Sequence, residues 1–342
     1  MTTARIGLMG FGRIGRNVFR MIADHPTLEV AAIADIADPE GLTYLLKYDS
    51  IHGRFPKRLE ETTSGLVMNG RVIPYLNARE PGDADWADLG VDIVIQATGS
   101  YRSAAWCRRH LEAGAKRVIL ASTPEDLADD IATLITGVND AVLTGSTDMV
   151  AMGSNTSNAL APVLRILDDA FGLERAFFTT VHAMTNSQRL ADVPSAGFRQ
   201  SRAAGENIIP TETNSPEILM SVMPDMRGKL SGAALNVPVA DGSTVDLVTE
   251  VRDATDVTTL NAAVRTAVES KYARVLEYSA DPIVSSDVRQ STHSGIYDSL
   301  AAMVMGGTMV KTITWYNNGW GYAARVVEAT ERMAEYALGV PA

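Results

Sequence analysis

The first 150 residues of the chain repeat one rhythm: a short, almost wholly apolar run, a break at glycine or polar residues, then apolar positions at helical spacing. The apolar runs are Arg5 to Met9, Leu28 to Ala34, Val91 to Gln96, Arg117 to Ala121 and Met149 to Met152. Strands that are apolar on both faces belong in a parallel sheet covered by helices on both sides, so this half predicts a doubly wound α/β domain. After about residue 153 the pattern changes. Ser243 to Arg252 (STVDLVTEVR) and Met309 to Trp315 alternate apolar and polar, which predicts strands with only one face in a core and therefore a different domain. Gly321 to Leu338 carries Val326, Val327, Met333 and Ala337 at helical spacing and predicts a closing amphipathic helix.

Length and composition narrow the class. A chain of 342 residues is long enough for two domains with cores of their own, without cross-links. Its single cysteine, Cys107, excludes an intrachain disulfide and a cysteine-based zinc cluster, and suggests a reducing, cytoplasmic setting. Lys and Arg number 30 against 41 Asp and Glu, a net charge of −11 that argues against nucleic acid or anionic membrane as a partner. The N-terminus, MTTARIGLMGFGRIGR, has no apolar signal core, and no apolar stretch reaches the roughly 18 residues of a membrane span. His25, His52, His110 and His293 lack metal-ligand spacing and are expected in surface or packing roles, so no metal is expected.

The strongest chemical signal lies directly after the first strand. Gly10, Gly12 and Gly15 form GxGxxG between that strand and its helix, and Asp35 closes the second strand 20 residues after Gly15. The first glycine permits a tight turn, the second lets a pyrophosphate approach the backbone, and the third lets helix and strand pack closely. An acid in that place accepts from ribose hydroxyls and repels a 2′-phosphate, which favours NAD over NADP. A glycine turn alone would also serve a purely structural purpose; the strand, helix and acid together make it a cofactor site.

Further motifs agree in order along nearly the whole chain: GFGRIGR (Gly10 to Arg16), YDSIHGRF (Tyr48 to Phe55), GAKRVI (Gly114 to Ile119), GVND (Gly137 to Asp140), TTVHAMTNSQR (Thr179 to Arg189), NIIPTET (Asn207 to Thr213), VSSD (Val284 to Asp287) and WYNNGWGYAARVV (Trp315 to Val327). On these the sequence resembles the glyceraldehyde-3-phosphate dehydrogenase family. The resemblance implies an NAD-binding Rossmann domain of residues 1–153 completed by the C-terminal helix, residues 319–342. Between them it implies an α+β catalytic domain of residues 154–318 with a mostly antiparallel sheet, and it implies a homotetramer. It gives Asn318 the nicotinamide carboxamide, and Ile36 and Pro194 are of the type seen in NAD-using members. The expected cofactor contacts are then Gly10, Gly12, Arg13, Ile14, Gly15, Asp35, Thr98, Gly99 and Asn318.

One segment departs from the family. Its nucleophilic cysteine lies in a stretch reading approximately SCTTNC, and the matching residues Ser154 to Ala159 read SNTSNA, with Asn155 in the place of the thiol. An amide nitrogen is delocalised and does not replace a thiolate. The second cysteine is also absent, as Ala159, and Ser157 replaces a common threonine, so the segment reads as natural divergence. Arginines common in the family correspond to Gln200 and Asn236, a glycine to Asn214 and a lysine to Glu217, so the positions that grip phosphate have lost positive charge. Ser154, Thr156, Thr185 and Thr213 persist as hydroxyls, beside Asn214 and Asn236, while Arg189, Arg199 or Arg202 remain available for a single phosphate. His182 keeps the position of the family's catalytic base, and Asn155 is placed to bond the reacting oxygen or orient the histidine. The expectation is an NAD-dependent oxidoreductase that moves hydride between carbonyl and alcohol, or oxidises transiently, on a hydroxylated, weakly anionic small molecule without a thiol nucleophile. The alternative is an inactive homologue with a nucleotide-binding or regulatory role.

Overall fold

The computed structural model describes residues 3–62, 65–128, 130–195 and 197–338. The chain divides into two units: Met1–Leu134 with Asp140–Gly153 and Ala323–Ala342, and Ile135–Asn139 with Ser154–Tyr322.

In the first unit, strand Ala4–Met9 pairs in parallel with Leu28–Asp35 on one side and Ile93–Gln96 on the other. Beyond Ile93–Gln96 follow Arg117–Leu120, Met149–Ala151 and the edge strand Ala132–Thr133, all parallel. The five apolar runs are thus five parallel strands, each ending within two residues of its expected limits. On the other flank Arg71–Asn77 pairs in parallel with Leu28–Asp35 and then turns back through Gly65–Met68 and Leu59–Thr62 in antiparallel fashion. This flank escaped the hydrophobic pattern because its strands are short, and three of the four residues of LEET are exposed. Chain order runs in opposite directions on the two sides of Ala4–Met9, so a crevice opens at its carboxyl end, beside Gly10 and Ala97. Cys107 is fully buried among Ala104, Val118, Leu120, Met149 and Ala151, a packing cysteine. The closing helix runs Trp320–Leu338; Arg332 donates to the Asp140 carbonyl at 3.2 Å. Residues 339–342 of the expected helix lie outside the described residues.

The second unit is a seven-stranded sheet in which four of the six strand pairings are antiparallel. Leu173–His182 lies between Leu230–Asn236 and Ser243–Val251, and the alternating strands Ser243–Val251 and Met309–Tyr316 pair directly. Helix Asn155–Phe171 is buried along most of its length and packs on one face of this sheet with Val257–Glu269 and Ser215–Val222. The opposite face leaves Phe177, Val248, Met303, Met305 and Met309 exposed, which accounts for the alternation read in the sequence. Among the described residues no helix is long and apolar enough to cross a membrane.

A buried polar chain crosses the core of the first unit. Trp86 Nε1–H donates to His110 Nδ1 at 3.0 Å, and both residues are fully buried. Burial, reinforced by the neighbouring Arg109 charge, pushes the His110 imidazole down to about 4. The folded protein therefore binds this proton more weakly than the unfolded chain, whose histidine titrates near 6.5. The associated stability is intact above pH 6.5 and is lost as pH falls from there to about 4. We expect acid to destabilise the native protein over this window by about 3 kcal/mol more than it destabilises His110→Gln, measured by urea unfolding at pH 7 and pH 4.

Candidate active site

The crevice of the first unit is a cavity of about 550 Å³ lined by Gly10, Gly12, Asp35, Ile36, Thr98 and Tyr101 among others. Gly10 adopts φ +93°, and a Cβ there would come within 2.6 Å of the Thr98 amide nitrogen, so no other residue fits. A Cβ on Gly15 would run into the Gly10 carbonyl oxygen. Gly12 differs: a Cβ there meets nothing within 4 Å, so the space in front of it is open. It is the N-cap of helix Arg13–Ile22 and brings no capping side chain, leaving Arg13, Ile14 and Gly15 in a first turn whose amides offer positive partial charge. Asp35 accepts from the Phe11 amide at 2.6 Å and the Ala37 amide at 2.9 Å, which anchors the carboxylate at the crevice with lone pairs remaining on each oxygen. Gly99 follows Thr98 in the left-handed region, at φ +74°. Open space at Gly12, an uncapped helix start and a fixed carboxylate fit a dinucleotide's pyrophosphate and ribose.

The second unit contains a larger cavity of about 1370 Å³. Every substrate or catalytic residue expected from sequence lines it: Ser154, Asn155, Thr156, His182, Thr185, Thr213, Asn214 and Asn236. They come from three places, the start of helix Asn155–Phe171, the carboxyl ends of the parallel strands Leu173–His182 and Leu230–Asn236, and the residues before helix Ser215–Val222. Gln200, Glu217 and Arg199 also line it, whereas Arg202 is drawn to Asp192 at 3.2 Å and Arg189 is not among the lining residues.

Side chains cap part of the helix start. Ser154 accepts from the Ser157 amide at 3.0 Å, and Asn155 Oδ1 accepts from the Thr156 amide at 2.7 Å. Asn155 Nδ2 donates to the Asn318 carbonyl at 3.1 Å. Its amide thus holds two backbone segments of the unit together, and neither bond goes to His182. His182 Nδ1 lies 2.6 Å from the Ala183 carbonyl; a carbonyl only accepts, so the neutral ring carries its proton on Nδ1 and leaves Nε2 as the basic nitrogen. The ring rests edge-on against Tyr316, whose hydroxyl sits 2.9 Å from Thr156 Oγ1 and 2.7 Å from Thr180 Oγ1. Full burial raises the Tyr316 phenol, which stays neutral.

The side chain of Asn318 is buried without polar partners, as is that of Asn17 in the first unit. Asn318 is 2 % exposed, and neither its side-chain oxygen nor its nitrogen has a hydrogen-bond partner. The preceding Asn317 is fully engaged, donating to Asp241 at 2.7 Å and accepting from the Gly319 amide at 2.8 Å. A buried, unsatisfied carboxamide costs about 1–3 kcal/mol and marks a place where a ligand supplies the missing partners. Sequence reasoning missed Gln188, Thr180 and Tyr316. Gln188 sits inside the quoted run TTVHAMTNSQR, but only the fold shows its amide oxygen accepting from both the Thr185 amide and Asn236 Nδ2, each at 2.9 Å.

The two glycines separate fold from binding. Gly12→Ala is expected to leave the melting temperature within about 1 °C, because nothing crowds the new methyl, yet to weaken NAD binding at least tenfold by titration calorimetry. Gly15→Ala is expected to lower both.

Comparison with known proteins places both domains in one family. Residues 4–104 match the glyceraldehyde 3-phosphate dehydrogenase NAD binding domain, and residues 154–318 match the C-terminal domain of the same enzymes. Glyceraldehyde-3-phosphate dehydrogenase 1 of Bacillus subtilis (strain 168) is 41% identical over 335 residues, 98% of this chain and 99% of its own. The Geobacillus stearothermophilus enzyme is 41% identical with the same coverage, and that of Mycobacterium avium 42% identical over 95% of this chain and 97% of its own. Carrying an NAD-binding domain joined to a matching catalytic domain over nearly its full length, the chain belongs to the glyceraldehyde-3-phosphate dehydrogenase family, with NAD as its cofactor.

Proposed function

We propose that this member is an NAD-dependent oxidoreductase that interconverts a hydroxyl and a carbonyl by direct hydride transfer, without a covalent thiol intermediate. The observation that carries the reading is the pair at the catalytic cavity: His182 is retained with Nε2 as its basic nitrogen, while position 155 is an asparagine tied into the backbone. The chain's only cysteine is buried elsewhere, in the first unit. Bound NAD supplies the hydride acceptor or donor. Gly10, Gly12, Gly15 and Asp35 would hold its pyrophosphate and ribose; in the second unit, the unpartnered amide of Asn318 would complement the donor and acceptor of a carboxamide. His182 Nε2 takes the hydroxyl proton as the carbon–hydrogen bond gives up its hydride, and returns it in the reverse direction.

The cavity favours a hydroxylated substrate of low negative charge. Gln188 Oε1 accepts from a backbone amide, which fixes its orientation; Asn236 must then turn its nitrogen toward Gln188 and its oxygen away. The wall at Asn236 therefore presents an acceptor, suited to a substrate hydroxyl, where an arginine would present a cation. Glu212 and Glu217 line the same cavity against the single guanidinium of Arg199. The exposed apolar sheet face of the second unit, Phe177, Val248, Met303, Met305 and Met309, supports assembly with further copies of the chain, and we assign a homotetramer.

With NAD and a panel of unphosphorylated hydroxyaldehydes, ketones and polyols, the purified protein should change absorbance at 340 nm with at least one compound; silence across the panel sinks the reading. His182→Ala should lower kcat about 10²- to 10⁴-fold with NAD affinity unchanged. Iodoacetamide should leave turnover intact, because no catalytic thiol exists to alkylate, and phosphate-dependent NADH formation from glyceraldehyde 3-phosphate would overturn the thiol-free mechanism. Light scattering should return four times 36.6 kDa.

A further inference from the structure

The buried chain that begins at Trp86 does not end at His110. An indole nitrogen only donates, so His110 Nδ1 must accept, and the neutral ring carries its proton on Nε2. That nitrogen lies 3.2 Å from Gln96 Oε1, which fixes the Gln96 amide with its oxygen toward the histidine. Gln96 Nε2 is thereby directed to Thr98 Oγ1 at 3.2 Å and to the Ser100 carbonyl at 3.3 Å. Thr98 Oγ1 in turn donates to that same carbonyl at 2.9 Å and accepts from the Ser100 amide at 3.2 Å. Each bond in the series has only one allowed direction, set by the indole donor at one end and the Ser100 backbone at the other.

The series links the core to the cofactor crevice. Trp86 is held against the first strand, where a Cβ on Gly7 would approach its ring to 2.8 Å. Gln96 ends strand Ile93–Gln96 and is 1 % exposed, while Thr98 and Ser100 line the crevice two and four residues later. The Thr98 amide also sits against Gly10, so its position shapes the first glycine turn as well. A histidine needed only to satisfy Trp86 would have no call for a partner that reaches the crevice.

We propose that His110 is a positioning residue for the dinucleotide site, holding residues 98–100 through Gln96 in the form that lines the crevice. It touches neither cofactor nor substrate. Its imidazole supplies an acceptor at one end and a donor at the other, a pair that no smaller side chain spans.

The test separates positioning from packing. His110→Asn retains an acceptor for Trp86 and loses the donor to Gln96; His110→Gln places its amide nitrogen near the position of Nε2 and loses the acceptor for Trp86. Both variants should melt at lower temperature. By calorimetric titration with NAD in the absence of substrate, His110→Asn should bind about tenfold more weakly, and His110→Gln within about threefold of the native protein. In the Thr98→Val background, which removes the last link, His110→Asn should add little further loss, and amide exchange at residues 98–100 should be faster in His110→Asn than in His110→Gln. Equal losses of NAD affinity in both histidine variants, unchanged affinity in both, or additive effects with Thr98→Val would overturn the proposal. Gln96→Met cuts the middle link at similar volume and serves if His110→Asn does not fold; native NAD affinity in it would overturn the proposal equally.

Discussion

The close contact between Gly10 and its neighbours is the constraint from which the cofactor half follows. Its carbonyl faces Gly15 across the first helical turn, and its α-carbon faces the Thr98 amide, with room for a side chain at neither glycine. The contact aims the open amides of helix Arg13–Ile22 into the crevice. It also brings the ends of strands Ala4–Met9 and Ile93–Gln96 together, with the Ala97 amide donating to the Met9 carbonyl at 2.7 Å. Asp35, Thr98 and the buried series behind Gln96 are arranged around that one approach of backbone to backbone.

In the second unit the cavity is shaped by hydrogen bonds among short polar side chains. At the start of helix Asn155–Phe171 the Thr156 and Ser157 amides are taken by the side chains of Asn155 and Ser154. Helix N-terminal amides attract anions while they are free, and here two of them are engaged by short polar side chains. Asn236 and Gln188 form a neutral pair on the cavity wall. Asn318, next in sequence to the fully engaged Asn317, is left with both side-chain amide atoms unpartnered, a cost that a bound ligand would relieve.

Much of this was legible in the sequence. Parallel strands announce themselves as apolar runs because both faces are covered, and a glycine fingerprint announces a crevice because only glycine tolerates the approach. The antiparallel flank Leu59–Asn77 was illegible: its exposed faces carry charged residues, and pairing with Leu28–Asp35 is long-range. Gln188 was illegible as a site residue because its function depends on which atom meets it across 48 positions of sequence. The sequence allows His110 a surface or a packing role, and it is buried; its connection to the crevice is a matter of hydrogen-bond direction, which sequence does not carry.

The residue types fixed by sequence alone are the ones whose chemistry is intrinsic: a single cysteine, an asparagine at position 155, a histidine at 182, and glycines where only glycine fits. These determine that the chain can bind a dinucleotide and that residue 155 cannot act as a thiolate. Tertiary structure decided what those groups are free to do. It tied the Asn155 amide into the backbone, put the His182 proton on Nδ1, turned the Asn236 oxygen away from Gln188 and left Asn318 unsatisfied. Hydrogen bonds are short and directional, so the availability of a donor or acceptor is set by neighbours far away in sequence.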